Sequence, residues 1–270
     1  MSYVTTNGVK LFYEEQGEGE PLLLLNGIFM STKSWAIISN VLAKKYRVIL
    51  HDFRGQGLSD KPSGDYTFNM HSDDIKGLLE SLNIKSAHIA GTSYGGEAGM
   101  DFASRFPEMV KTLTIISSVS EIDMGLKLIC ERWINALLTK DAEVFIKEWL
   151  NDTYSEQFLK NTYSIIHPKI LESFEDFDYS ACKRLMDCFM TLEKNPQTGK
   201  LSSITAPTLV IAGELDTLKP LKYSEIIHRA IKNSELHVVK GAGHAVTVER
   251  PQEILTLILG FIEKTELLQS

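Results

Sequence analysis

The sequence predicts an α/β fold: a mostly parallel central sheet of about eight strands, helices on both faces and an inserted all-helical cap. Short apolar runs that suit buried strands alternate with segments of helical periodicity, which is typical of a parallel sheet. This alternation stops between residues 120 and 199, where only helical periodicity is found. A chain of 270 residues is long enough to bury one large α/β core.

The first strands follow from local polarity patterns. Residues 9–15 alternate in polarity, which suits an antiparallel edge hairpin with residues 2–6. Residues 22–25 are four consecutive leucines, as expected of a central strand that is buried on both faces. Residues 48–50 form the next apolar run, and further strands are predicted at residues 86–90, 113–116, 207–212 and 236–239.

Helices are predicted between these strands. Ser31 or Thr32 can cap a helix that precedes residues 48–50 and contains Trp35, Ile38, Val41 and Leu42. Apolar residues at helical spacing predict another helix around residues 75–82. The last helix is expected to begin at Pro251, since proline is well suited to a first helical position.

The helical stretch divides the predicted core. We expect residues 1–119 and 200–270 to form one α/β core, with residues 120–199 inserted as a helical cap or lid. The insertion is acidic, rich in aromatic residues and holds all three cysteines. Most of its aromatic side chains are expected to form its own small core, with some left to face a substrate.

Composition excludes several classes of function. The net charge is −7 and no basic stripe is present, which argues against a nucleic-acid partner. We find neither a secretory signal nor an apolar run long enough for a membrane span. Three irregularly spaced cysteines suit neither a disulfide framework nor a zinc site. We therefore expect a cytoplasmic protein with reduced thiols, no cofactor or metal and a small-molecule substrate, as a monomer or a homodimer.

The pattern Gly91-x-Ser93-x-Gly95 lies between a predicted strand and a predicted helix. Glycines two residues either side of a serine are needed where the serine is the apex of a tight strand-to-helix turn, because side chains there would clash with the neighbouring chain. Such a turn exposes the serine hydroxyl, and the helix behind it offers free N–H groups to a developing anion. Ser93 is therefore the candidate nucleophile.

A serine hydroxyl needs a base to accept its proton and an acid to orient that base. Among the seven histidines, only His244 lies in a glycine-rich loop directly after a predicted strand, where sites form in parallel sheets. Asp216 follows the preceding strand and is the favoured acid. Glu214 and Asp123, which also follow strands, remain alternatives for the acid.

The order nucleophile, acid, base matches that of one fold. The chain resembles the α/β-hydrolase superfamily over essentially its whole length. The matching segments are residues 22–28, Asp52-x-Arg54-Gly55-x-Gly57-x-Ser59, Gly91-x-Ser93-x-Gly95-Gly96, Gly213-x-x-Asp216 and Gly241-x-Gly243-His244.

The resemblance implies specific roles for these residues. Ser93 would attack an acyl carbonyl, and His244, oriented by Asp216, would accept and return the proton. The backbone N–H groups of Ile28 and Tyr94 would form the oxyanion hole. Because these donors belong to the backbone, the side chains at the two positions are of secondary importance.

Other residues near the site carry weaker expectations. The family often has histidine where this chain has Asn26. We expect Asn26, Phe29 and Trp133 at the substrate pocket, and we expect Asp52 and Arg54 to anchor turns and loops. The serine at position 93 argues against the epoxide hydrolase and haloalkane dehalogenase branches, for which the resemblance implies an aspartate nucleophile.

The favoured function is a carboxylesterase-like serine hydrolase of the EC 3.1.1 type. It would cleave an ester, lactone or thioester of a small to medium, largely apolar substrate through an acyl-enzyme. The acidic insertion disfavours a strongly anionic carrier such as coenzyme A. An enol-lactonase, a carbon–carbon bond hydrolase, an aminopeptidase or a cofactor-free perhydrolase would use the same triad. Two alternatives lie outside the class of active enzymes: a ligand-binding or signalling protein with little turnover, and a degenerate hydrolase.

Overall fold

The computed structural model describes residues 2–175 and 177–269, and its strands form one eight-stranded sheet with the order β1-β2-β4-β3-β5-β6-β7-β8. β1 and β4 each pair with β2 in the antiparallel sense, and every other pairing is parallel. The predicted mostly parallel sheet of about eight strands is confirmed. The strands are β1 (Ser2–Thr6), β2 (Val9–Gln16), β3 (Glu20–Leu25), β4 (Tyr46–His51), β5 (Ala87–Thr92), β6 (Val110–Ile116), β7 (Thr208–Gly213) and β8 (Ser234–Val239).

Helices connect the strands and cover both faces of the sheet. Short 3₁₀ turns occur at Thr32–Trp35, Pro107–Met109, Thr191–Glu193 and Thr198–Ser203. No helix in the described ranges is long and apolar enough to cross a bilayer. The α-helices are α1 (Ala36–Leu42), α2 (Phe68–Ser81), α3 (Tyr94–Arg105), α4 (Met124–Leu138), α5 (Ala142–Thr153), α6 (Glu156–Glu172), α7 (Tyr179–Met190), α8 (Leu221–Ala230), α9 (Val246–Glu249) and α10 (Pro251–Gln269).

The four leucines of β3 explain why this strand is central. Successive side chains in a strand point to opposite faces, and here Leu22 and Leu24 enter one hydrophobic core while Leu23 and Leu25 enter the other. All four are completely buried. Burial of each such side chain contributes about 1.5–3 kcal/mol, so this short run stabilises the packing of both helical layers.

The helix predicted after β3 begins after Ser31, one of the two predicted capping residues. Its first turn is a 3₁₀ turn, Thr32–Trp35, rather than α-helix. The backbone N–H of Thr32 donates to the carboxylate of Asp52 at 2.9 Å, so a tertiary contact anchors the start of this turn. Val41, which the pattern places on the buried face, is 37% exposed, because the spacing of four residues between Ile38 and Leu42 sets the buried face of this short helix.

Four helices, α4 to α7, lie between β6 and β7, where the sequence predicted only helical periodicity. Each begins after a residue whose side chain accepts a backbone N–H from the first turn, and these caps are Asp123, Asp141, Ser155 and Asp178. Such a cap typically contributes about 1 kcal/mol. Between residues 117 and 207, the parts of the chain described contain helices and turns but no strand.

Two histidines of the core are completely buried, His51 at the end of β4 and His71 in α2. Burial lowers the pKa of His51 to about 4 and that of His71 to about 3, because an imidazolium cannot be hydrated there. Neither ring nitrogen of His51 has a hydrogen-bond partner among the described residues, whereas Nε2 of His71 lies 2.7 Å from the Tyr94 hydroxyl. Both rings are therefore neutral at pH 7.

We predict that the folded protein loses stability as the pH falls from 7 towards 5, in part through His51. The unfolded chain binds a proton at this ring near pH 6.5, whereas the folded chain does so only near pH 4, so the unfolded state binds more protons in that window. At pH 5 this difference costs about 2 kcal/mol.

The variant His51→Leu removes this titration and places an apolar side chain beside Phe53, whose ring centroid lies 4.7 Å from that of His51. Urea unfolding of both proteins at pH 7.5 and pH 5 measures the effect. The loss of stability on acidification should be smaller in the variant by about 2 kcal/mol. An identical pH dependence of the unfolding free energy in the two proteins would contradict the role assigned to His51.

Candidate active site

Ser93 lies at the sharp turn between β5 and α3 with a left-handed backbone conformation, φ 51° and ψ −120°. This conformation costs a non-glycine residue about 1–3 kcal/mol. A side chain at Gly91 would overlap the carbonyl of Gly95, and one at Gly95 would overlap the carbonyl of Leu25. The two glycines therefore allow α3 to begin so close to the end of β3 that Ser93 must adopt this strained turn.

The loops after β7 and β8 bring an acid and a histidine to Ser93. His244 Nε2 lies 3.1 Å from the Ser93 hydroxyl oxygen, and His244 Nδ1 lies 2.9 Å from Asp216 Oδ2. The side chain of Asp216 is completely buried and that of His244 is 8% exposed. Asp216 Oδ1 also accepts the backbone N–H of Lys219 at 2.7 Å, which holds the carboxylate towards the imidazole. This chain of hydrogen bonds can move a proton from Ser93 to His244.

Glu214 and Asp123, the two further candidates for the acid, lie elsewhere. Glu214 accepts the backbone N–H of Gly241 at 2.9 Å. Asp123 caps α4 and pairs with Lys222 at 2.5 Å, and these hydrogen bonds lower the pKa of Asp123. Neither carboxylate contacts His244, so the geometry favours Asp216.

The backbone N–H groups of Ile28 and Tyr94 have no hydrogen-bond partner among the described residues. Both residues line a small cavity beside Ser93. The loop that carries Ile28 is held by Gln56, whose side-chain amide donates to the carbonyls of Gly27 and Ile28 at 2.8 and 3.1 Å. The arrangement leaves two donors available to an oxyanion. Sequence reasoning missed Gln56, although it lies within the Asp52-x-Arg54-Gly55-x-Gly57-x-Ser59 motif.

Asn26 does not lie where the sequence predicted it, at the substrate pocket, because its side chain is completely buried and does not line the cavity. Its amide donates to the His51 carbonyl at 2.9 Å and accepts from the indole N–H of Trp35 at 3.0 Å. Because both ends of the amide are bonded within the core, Asn26 ties the end of β3 to β4 and to the helix that follows β3.

Asp52 and Arg54 anchor loops as expected. Asp52 accepts the backbone N–H groups of Thr32 and Leu58, both at 2.9 Å. Arg54 makes a bidentate, buried pair with Asp74 of α2 at 2.6 and 2.7 Å.

A cavity of about 440 Å³ opens over Ser93 and His244. Phe29 and Trp133, the other two residues expected at a substrate pocket, both line it. The ring of Phe29 packs against those of Trp133 and Trp149, with centroids 5.8 and 5.7 Å away. The remaining walls are mostly apolar and come from α6, α9, the ends of α5 and α6 and the loops after β3 and β7, including Ile28, Met30, Tyr154, Ile166, Ile170, Phe174, Leu218 and Val248.

Glu249 links the start of α6 to the His244 loop. Its buried carboxylate accepts the N–H groups of Ser155 and Gly243 at 2.9 and 3.1 Å and the hydroxyl of Ser155 at 2.5 Å. Sequence reasoning missed this residue, since no local pattern relates positions 155 and 249.

Sequence reasoning also missed Lys219 and Glu97. The Lys219 ammonium lies 3.1 Å from the Ser93 hydroxyl oxygen and 2.9 Å from Glu97 Oε1. Their side chains are 4% and 0% exposed. Two charged residues that are far apart in the sequence thus form a buried pair beside the serine. Elsewhere in the described ranges, no cluster of three His, Cys, Asp or Glu side chains is arranged to hold a metal ion, and the three cysteines are buried and free.

We predict that Asp216→Asn lowers kcat/KM by ~10⁴-fold, because the amide cannot hold His244 in the tautomer that accepts a proton. Glu214→Gln and Asp123→Asn are matched controls and should stay near the wild-type rate. Ester hydrolysis by the three purified variants measures this. A large loss of activity in Glu214→Gln or Asp123→Asn, together with an active Asp216→Asn variant, would assign the role of the acid to that other residue.

The family model described as alpha/beta hydrolase fold matches residues 20–251. The 2-hydroxymuconate semialdehyde hydrolase of Pseudomonas sp. (strain CF600) is 27% identical, over 96% of this chain and 92% of the relative.

Two solved structures are each 28% identical to this chain. One is MGS-M2, an alpha/beta hydrolase enzyme from a Medee basin deep-sea metagenome library, with a TM-score of 0.90 and 97% of each chain covered. The other is Est816, described as an N-acyl homoserine lactone degrading enzyme, with a TM-score of 0.83, covering 96% of this chain and all of the other.

Proposed function

Because the chain belongs to the alpha/beta hydrolase fold family, we propose that it is a serine hydrolase that cleaves carboxylic esters of small to medium, largely apolar substrates. The observation that carries this proposal is the hydrogen-bond chain from Asp216 through His244 to Ser93, which ends at the floor of a mostly apolar cavity. A nucleophile, a base and an orienting acid in this order are the parts needed for acyl transfer.

The proposed reaction begins with attack by the Ser93 oxygen on the substrate carbonyl carbon. His244 Nε2 takes the serine proton and returns it to the departing alcohol, while Asp216 stabilises the imidazolium. The N–H groups of Ile28 and Tyr94 donate to the oxyanion, and one such donor typically contributes ~3–4 kcal/mol to transition-state stabilisation. Water then attacks the acyl-enzyme by the same route and releases the acid.

The cavity supports a largely apolar substrate. Its volume of about 440 Å³ and its wall of Phe29, Trp133 and Trp149 suit a short acyl chain or a ring. We propose that residues 120–199 form a cap over the core of residues 1–119 and 200–270, because α4 to α6 supply much of this wall.

Lactone or carbon–carbon bond cleavage is the second candidate. One relative is named as a 2-hydroxymuconate semialdehyde hydrolase and one neighbour as a lactone-degrading enzyme, each at under 30% identity. The same three residues serve these reactions, so cavity shape decides between them. A panel of p-nitrophenyl esters of rising chain length, acyl lactones and vinylogous diketones separates these classes.

We predict that the purified protein hydrolyses short p-nitrophenyl esters and that Ser93→Ala lowers kcat by roughly 10³–10⁶-fold, because no other group can carry the acyl chain. A fluorophosphonate probe should label the wild-type protein once, and peptide mapping should locate the label at Ser93. Ser93→Ala should remain unlabelled.

Wild-type rates in Ser93→Ala, or a label on another residue, would disprove the assignment of the nucleophile. Labelling of Ser93 without turnover of any substrate in the panel would instead indicate a ligand-binding protein that retains the reactive serine.

A further inference from the structure

The Ser93 oxygen has a second partner that acyl transfer by the Asp216–His244 pair does not require. The Lys219 ammonium lies 3.1 Å from this oxygen, the same distance as His244 Nε2. Lys219 belongs to the loop between β7 and α8, and Glu97, its other partner, lies in the first turn of α3. The ammonium therefore lies beside the serine, at the small cavity that Ile28 and Tyr94 also line.

We propose that Lys219 is a further catalytic residue, whose ammonium stabilises the Ser93 oxygen as a leaving group when the acyl-enzyme is hydrolysed. This inference rests on the proposed function, in which Ser93 carries the acyl group. It adds to that function a residue that sets the rate of one step, deacylation.

The partners of the Ser93 hydroxyl differ in whether they can donate or accept a hydrogen bond. An ammonium has three donors and no acceptor, so the Ser93 oxygen accepts from Lys219. The serine hydroxyl can then donate its proton only to His244. After acylation the Ser93 oxygen has lost this proton, but it keeps the lone pair that accepts the hydrogen bond from Lys219.

Two contacts besides that with Ser93 hold the ammonium at this position, and the first is itself held by a backbone N–H. Glu97 Oε1 accepts from Lys219 at 2.9 Å and from the backbone N–H of Val119 at 2.8 Å. The ring of Phe189 has its centroid 4.7 Å from Lys219 Nζ. Burial raises the pKa of Glu97, and the adjacent ammonium opposes that shift. An unpaired buried ammonium would be costly, so Glu97 keeps the charge beside the serine.

In the hydrolysis of the acyl-enzyme, water attacks the acyl carbon and His244 Nε2 takes the water proton. The bond between this carbon and the Ser93 oxygen then breaks, its electron pair stays on the oxygen, and His244 returns the proton there. Lys219 keeps its own protons throughout and donates a hydrogen bond to the oxygen on which negative charge develops.

The donor affects the two half-reactions unequally. The bridging oxygen of an ester is a weaker acceptor than a serine hydroxyl, so the hydrogen bond from Lys219 weakens on acylation and strengthens again as the acyl group leaves. Only an interaction that is stronger in the transition state than in the preceding ground state accelerates a step. Lys219 should therefore accelerate deacylation much more than acylation.

The test compares wild type, Lys219→Met and the double variant Glu97→Gln/Lys219→Met in stopped-flow hydrolysis of p-nitrophenyl acetate. Charge-assisted hydrogen bonds predict that both variants deacylate ~10–100-fold more slowly than wild type. Acylation should change much less, so the variants should release a burst of nitrophenolate before a slow steady state. Lys222→Met, which removes a lysine that pairs with Asp123 outside the site, is the control and should behave as wild type.

The double variant separates catalysis from folding. It replaces both members of the pair with neutral side chains and so leaves no unpaired buried charge, and thermal unfolding should be close to that of wild type. A wild-type deacylation rate in this variant would overturn the proposal. An equal decrease in both half-reactions would also overturn it, because that is the result expected if Lys219 only positions Ser93.

Fluorophosphonate labelling distinguishes this outcome from failure of the proposed function. If Ser93 is labelled in every variant and deacylation is unchanged, only the role of Lys219 is disproved. If the wild-type protein neither reacts with the probe nor releases nitrophenolate, the proposed function fails and the inference fails with it.

Discussion

The close approach between the first turn of α3 and the end of β3 determines the rest of the candidate site. No side chain fits between Gly95 and the carbonyls of Leu25 and Asn26, or between Gly91 and the carbonyl of Gly95. This contact forces Ser93 into a left-handed conformation and presents its hydroxyl at the carboxyl edge of the sheet. The same contact brings the free N–H groups of Ile28 and Tyr94 to the small cavity beside Ser93. Because α3 and β3 fix the position of Ser93, the loops after β7 and β8 need only bring Asp216 and His244 to it.

Buried charges keep those loops in place. Asp52, Glu97 and Glu249 are all nearly inaccessible to water, and each accepts hydrogen bonds from backbone N–H groups of a neighbouring loop. Breaking such an arrangement would leave a charge or several donors buried without partners, which is costly. Glu249 is the clearest case, because one carboxylate joins the start of α6 to Gly243, the residue before His244. The positions of the cavity wall at α6 and of the candidate base His244 thus both depend on the Glu249 side chain.

Prediction from the sequence succeeded where the determining interactions are local. The hairpin of β1 and β2, the buried β3 and the start of α10 at Pro251 follow from periodicity and capping. Prediction was wrong where a tertiary contact intervenes. Asn26, expected at the pocket, is bonded within the core to the His51 carbonyl and the Trp35 indole. Neither contact leaves a trace in the neighbouring residues of the chain.

By itself, the sequence determined the fold class and the positions of a serine, an acid and a base in family order, because the glycines of a strained turn and the ends of parallel strands can be recognised along the chain. Only the tertiary structure decided which acid faces His244, since Asp216, Glu214 and Asp123 all follow strands. It alone paired Lys219 with Glu97, 122 positions away, and brought the Lys219 ammonium to the Ser93 oxygen. A buried ion pair depends on distance in space and on exclusion of water, and neither quantity is a property of local sequence.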